Sequence, residues 1–169
     1  MKDRIAVFTL LLSVTLVAGS TKHKVFEVRV SAAALVGEIV ATSTFTLGGW
    51  RIYDRQGRQV GEIGGAGDEH FRESLKAVLQ SPEPVGSQRT LAWELSRLED
   101  RSGHPLVKLP EADLTMVKYW AKSCEPCRDQ DQAQARTVQQ VLASYKTLAV
   151  NILHVDADVP RKAHKAKKK

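Results

Sequence analysis

The chain is poor in cysteine: Cys124 and Cys127 are the two it has in 169 residues. That excludes a scaffold built on disulfides, so any bond between the pair has a local role. A long apolar stretch is also missing. The best candidate, Ile5 to Gly19, runs 15 residues, short of the ~20 that comfortably span a bilayer. No internal repeat is present, which sets aside solenoids and propellers. Phosphate-loop spacing is absent too: "GEIGGAG" matches neither G-x-G-x-x-G nor G-x-x-x-x-G-K-[ST] and reads as a turn after a hairpin. Finally, the body of the chain carries no excess of one charge. The net +6 equals the six cations of the last nine residues, Arg161, Lys162, Lys165, Lys167, Lys168 and Lys169, so residues 1–160 sum to zero. Such a tail is expected to be a disordered, solvated terminus. No aromatics are interleaved with its lysines as single-strand binders require, so no nucleic-acid function is expected.

With 43% hydrophobic and 26% charged residues, the composition is that of a globular protein able to build a core without staples. The length suits one domain, or one domain with appendages. The first residues have the layout of a secretory signal peptide: Lys2 and Arg4, an uncharged run from Ile5 to Thr21, and the small residues Ala18, Gly19 and Ser20. No cysteine follows the run, so lipoprotein attachment there is excluded. Export would deliver the protein to an oxidising compartment, a bacterial periplasm or the exterior. An uncleaved N-terminal anchor in the inner membrane is the alternative. Membrane contact is expected only through that segment or the basic tail.

"KVFEVRV" alternates as a half-buried strand does, and "LVGEIVATSTFTL" is β-branched enough for one or two more. "WRIYDRQGRQVGEI" predicts a hairpin, with Trp50 to Tyr53, a turn over 54–57, then Arg58 to Ile63. A helix follows, with Asp68 able to cap it and Phe71, Leu75, Val78 and Leu79 on one face. "SPEPVGS" is the best linker candidate. "LAWELSRLED" predicts a short helix with Leu91, Leu95 and Leu98 on one side, and residues 101–113 a loop. "LTMVKYW", Leu114 to Trp120, and "LAVNILHV", Leu148 to Val155, are apolar on both faces, as buried parallel strands are. Between them a helix from Pro126 to Tyr145 carries Ala135, Val138, Leu142 and Tyr145 in a stripe. Strand, helix, strand makes a βαβ unit with an expected right-handed crossover.

The cysteines fall where the first of these strands hands over to the helix, the place where α/β sheets put their chemistry. Ser123 can cap the helix, which would place Cys124 in its first turn, and Pro126 is tolerated there because first-turn amides lack helical partners. Exposed amides and the helix dipole favour an anion at Cys124. Cys127 lies one turn on, on the same side, suited to attack a mixed disulfide. Lys122 and Arg128 favour the thiolate and Glu125 opposes it. A metal corner needs four ligands where the cysteines supply two, leaving His104 and His154 as conceivable partners. Arg128 stands where covalent haem attachment requires histidine.

"VKYWAKSCEPCR" resembles the active-site segment of the thioredoxin-like thiol–disulfide oxidoreductases, with Trp120, Ala121, Cys124, Pro126 and Cys127 matching in place. The resemblance covers Leu114 to Asp158. It implies a Cys124/Cys127 dithiol–disulfide couple as the catalytic pair, shaped by Trp120, Glu125 and Pro126, with Trp120 packed beneath it. It implies no cofactor and no metal, and as partners protein thiols or disulfides plus a redox partner protein. Three departures stand out. The strand position six before the first cysteine, often a buried proton-shuttling acid in that family, is Lys118, which would have to pair or snorkel. The helix lacks the family's kinking proline. The family's following cis-proline loop, hairpin and helix have no counterpart after the second strand.

A hairpin plus helix does lie upstream, however, in residues 44–80, and circular permutation would let it supply the absent half. A hairpin followed by a helix is a common motif with no such meaning by itself; separate sheets for 50–53 and 114–120 would end the idea. The expected layout is therefore α/β: a signal peptide at 1–20, a β-rich segment with hairpin and helix at 21–85, a thioredoxin-like βαβ segment around the C-x-x-C helix at 86–160, and the basic tail at 161–169. The expected function is thiol–disulfide exchange, with a non-catalytic binding module holding a structural disulfide as the alternative.

Overall fold

Residues 22–31, 34, 49–64, 70–87, 89–121 and 124–158 are described in a computed structural model. In chain order their elements are β1 His23–Val30, β2 Trp50–Asp54, β3 Gln59–Ile63, α1 Phe71–Gln80, α2 Leu91–Leu95, β4 Leu98–Glu99, β5 Leu114–Trp120, α3 Glu125–Leu142 and β6 Val150–Asp156. The signal-like segment, residues 35–47, Asp68, Lys122, Ser123 and the basic tail lie outside the described residues. No described helix is long and apolar enough to cross a membrane.

The six strands form one mixed sheet in the order β3-β2-β5-β6-β1-β4. β6 is the parallel neighbour of both β5 and β1. β2 runs antiparallel to β5 and to β3, and the short β4 runs antiparallel to β1. Strands from both halves of the chain thus share the sheet, and the hairpin lies directly against the strand leading to the cysteines. The outcome that would have ended the permutation idea is not found.

The hairpin closes as its residues dictate. Asp54 Oδ1 accepts from the Arg58 backbone N–H at 2.8 Å, and Gly57 takes the positive φ of 76° that glycine adopts without strain. Gly61 matters for a different reason: a Cβ there would sit 2.9 Å from Val78 Cγ2, so the missing side chain lets α1 lie close on β3.

Period-two alternation sorts the core into two layers. One face buries Trp50, Ile52, Leu114, Met116, Val150 and Ile152 beneath α1 and α3, whose Phe71, Leu75, Leu79, Val138 and Leu142 complete it. The opposite face buries Tyr53, Val117, Tyr119, Leu153 and Val155 with Val28, Val30 and Leu98. Each large side chain buried this way is worth roughly 1.5–3 kcal/mol. Of the stripe expected on α3, Val138 and Leu142 are buried, while Ala135 and Tyr145 are half-buried.

Two elements depart from their expected form: the helix expected to reach Tyr145 ends at Leu142, and α2 is shorter than its leucine spacing implied. Leu98 is not on the α2 helix but in β4, paired with Val30. The helix stops at Ser96, whose hydroxyl donates to the Trp93 carbonyl at 2.8 Å. The i, i+4, i+7 spacing of Leu91, Leu95 and Leu98 thus survives as burial against one layer, with a turn in between.

Candidate functional site

β5 ends at Trp120, and the chain turns at once: the Cys124 N–H donates to the Ala121 carbonyl at 3.1 Å. Cys124 keeps an extended backbone, with φ −95° and ψ 94°, and is itself the N-cap residue of α3. The expectation that Ser123 caps and Cys124 begins the first turn is corrected by one residue. The reason is that turn, which uses the Cys124 amide before the helix starts. Pro126 falls in the first turn as expected. An N-cap side chain is the group placed to accept from N2 or N3 amides; N2 here is Pro126, with no N–H, and the Cys124 side chain makes no such cap hydrogen bond. Cys124 is half-buried and disulfide-bonded. The side chains of Pro126 and Cys127 lie outside the described set.

Glu125 and Arg128 face solvent and pair with each other at 3.6 Å, so their opposed effects on the sulfur largely cancel. Trp120 is half-buried and stacks on His154, ring centroids 4.9 Å apart and planes 3° from parallel. It lines a surface cavity of about 580 Å³ at the carboxyl ends of β1, β5 and β6, together with Glu27, Arg29, Arg101, His154 and Asp156.

Lys118 neither reaches solvent nor stands alone. It is 1% exposed, and its ammonium forms an ion pair with Asp131 Oδ1 at 2.9 Å and donates to Gln134 Oε1 at 2.6 Å, both on α3. Trp50 Nε1 donates to the same Gln134 oxygen at 3.0 Å. On its other oxygen, Asp131 meets His154 Nε2 at 3.1 Å, and His154 Nδ1 lies 3.3 Å from both carboxylate oxygens of Glu27. Sheet register explains the assembly: Trp50 pairs with Lys118, Lys118 with His154, and His154 with Glu27, a single row across β2, β5, β6 and β1. Asp131 and Gln134, three residues apart and so on one helix face, lie over that row.

These contacts set the charges. Burial pulls the Lys118 ammonium below its ordinary range, and Asp131 only partly restores it. Burial opposes ionisation of Asp131, but His154 and Lys118 outweigh it and hold the carboxyl below its usual value. Burial likewise opposes the imidazolium of His154, yet Asp131 and Glu27, one carboxylate on each ring nitrogen, raise its pKa above 6.5.

Of the site residues expected from sequence, Cys124 and Trp120 flank the end of β5, Glu125 points to solvent, and Lys118 pairs as it had to. Sequence reasoning missed Asp131, Gln134 and, as a participant, His154. The signal was available in part: a buried lysine demands an acid, and Asp131 is the carboxylate four residues past Cys127. His104 stays on the surface near Asp100, and His154 is engaged by carboxylates. Among the described residues no cluster suits a metal ion. A second buried group lies on the opposite face. There Glu94 of α2 accepts from Arg51 Nη1 at 2.9 Å, from the Tyr53 hydroxyl at 2.7 Å, and from the Tyr119 hydroxyl.

Comparison with protein-family models, with curated proteins and with solved structures finds no match to this chain.

Proposed function

We propose that this chain is an exported thiol–disulfide exchange protein whose Cys124/Cys127 couple acts on protein thiols or disulfides. One observation carries the reading: Cys124 stands half-open as the cap residue of an 18-residue helix, at the carboxyl end of a buried strand with a parallel neighbour. Backbone amides there favour a thiolate, the form that attacks disulfides. Reduced Cys124 attacks one sulfur of a substrate disulfide; the substrate S–S bond breaks and its first sulfur leaves to take up a proton. Cys127 then gives up its proton and attacks the Cys124 sulfur, releasing the second substrate thiol and closing the internal disulfide. Two electrons pass from protein to substrate, and the same steps reversed oxidise a substrate dithiol. No cofactor enters either direction.

The thioredoxin-like character of the sheet belongs to the same proposal. The hairpin and helix that the family carries after its second strand come earlier in this chain. Yet β2 lies along β5, and α1 shares a face with α3. Circular permutation accounts for both facts, the sequence order changing while the neighbours stay. Export rests on the basic, apolar and small-residue layout of residues 1–20.

The test is to replace Cys127 with Ser and challenge the reduced protein with a disulfide-bonded protein. A mixed disulfide should accumulate at Cys124. Trapping at neither cysteine removes the exchange reading and favours a binding module with a structural bond.

A further inference from the structure

The carboxyl ends of β1, β5 and β6 carry an arrangement that thiol exchange by itself does not require. The three strands run parallel there, and crevices at such ends are where α/β sheets hold ligands. Two rows of the ladder meet at this point: Glu27 beside His154, and Arg29 beside Asp156 beside Trp120. Their side chains line the cavity of about 580 Å³, a size suited to a small molecule. Arg101 enters from the turn after β4, its guanidinium 3.4 Å from Glu27. That turn is braced by Asp100, whose Oδ1 accepts from the Ser102 and His104 amides at 2.8 and 3.0 Å. Gly103 lets it close on Arg29, since a Cβ there would lie 3.0 Å from Arg29 Nη2. Contacts among the described residues leave part of this charge over. Arg29 engages Glu99 through Nε at 2.6 Å, Asp156 accepts the Asp158 N–H on Oδ1 at 2.9 Å, and the Arg101 side chain is 77% exposed.

We infer that this cavity binds a small zwitterion of the amino-acid class, its ammonium taken by Glu27 and Asp156 and its carboxylate by Arg29 and Arg101. A plain anion entering here meets two carboxylates, and a plain cation meets two guanidinium groups. Each is rejected by like charge, whereas a molecule carrying both signs satisfies both pairs. The Trp120 ring, held flat by its stack on His154 at 4.9 Å, supplies the apolar wall for the ligand's carbon chain. Trp120 stands four residues before Cys124, which sets the site beside the sulfur. The use of the site in catalysis rests on the exchange reading above: the disulfide of this class, cystine, is then a substrate of the Cys124/Cys127 couple. Its S–S bond breaks as the internal disulfide closes. Two electrons leave with two molecules of cysteine, which take up the two protons given up by the couple.

The experiment has two arms. Calorimetry on the oxidised full chain uses L-cystathionine, a thioether with the charged ends of cystine and no bond to exchange, beside thiodipropionate, which lacks the ammonium groups. Saturable binding of cystathionine is expected, with thiodipropionate about tenfold weaker. Arg101→Ala and Asp156→Asn should each weaken cystathionine by about tenfold, the worth of one hydrogen bond to a charged group. No saturable binding, equal affinity for the two probes, or binding that neither variant moves overturns the site. If Asp156→Asn does not fold, Arg101→Ala decides alone, because that side chain is largely exposed. In the second arm the reduced chain reacts with cystine, cystamine and dithiodipropionate, each rate divided by that of a free thiol with the same disulfide. Cystine should be preferred by about tenfold, and Arg101→Ala should erase its advantage over cystamine, which has no carboxylate. Absence of any preference for cystine overturns its place as substrate. Reaction with none of the three disulfides removes the exchange reading, while cystathionine binding that both variants weaken still upholds the cavity.

Discussion

The two faces of the sheet each bury a charged cluster, and the clusters differ in one respect that separates structure from chemistry. Around Glu94 everything is closed: the carboxylate is 0% exposed and Arg51 is 4% exposed. Burial, reinforced by the neighbouring Glu94 carboxylate, pushes the Tyr53 and Tyr119 hydroxyls far above their ordinary range. Neither tyrosine changes protonation near neutral pH. Around Asp131 the burial is graded from Lys118 outward to His154, a residue that titrates where cells live. A closed cluster fixes α2 to the sheet, and a graded one connects the interior to water. Position relative to the cysteines agrees, since the graded cluster lies under α3 and the closed one on the other side.

Substitution should break this comparison most visibly at Glu94. Glu94→Gln leaves the Arg51 guanidinium buried without its main counter-charge, Glu62 being 3.9 Å away and half-exposed. A loss of about 3–5 kcal/mol in denaturant unfolding is expected, with glutathione exchange kinetics unchanged in the protein that remains folded. Lys118→Met should cost less, about 2 kcal/mol, because Asp131 keeps His154 as a partner. A cost equal to that of Glu94→Gln would mean both clusters are structural.

The smallest expected effect is on stability against pH. His154 has a folded pKa raised above its unfolded value, so its stabilising contribution is complete below the ordinary histidine value, about 6.5. That contribution is lost as pH rises through the folded pKa. Asp131 runs the other way: its depressed pKa contributes stability above the ordinary carboxyl range, lost as pH falls through the folded value. Unfolding curves should show the alkaline decline in the unaltered protein and lose it in His154→Gln. Persistence of the decline in that variant would assign it elsewhere.

Sequence pattern carried much of the local structure and little of the site. The buried runs of β5 and β6, the stripe on α3 and the hairpin turn at Asp54 to Gly57 were all legible, because each is a short-range statement about periodicity or turn chemistry. What failed was non-local or depended on a single turn. Leu98 kept helical spacing although the helix had ended at Ser96. The cap moved to Cys124 because an amide was already committed to Ala121. The polar row was invisible for a deeper reason. Trp50, Lys118, His154 and Glu27 are scattered over 128 residues of chain, and only strand register makes them neighbours. A buried lysine called for an acid, but only that register shows that Asp131 answers it and Asp129, which is exposed, does not.

The central claim concerns the sulfur at the head of α3, and thiolate absorbance tests it directly. In reduced Cys127→Ser the remaining thiol should titrate clearly below the ordinary cysteine value of about 8.5. A midpoint at or above that value would contradict the account.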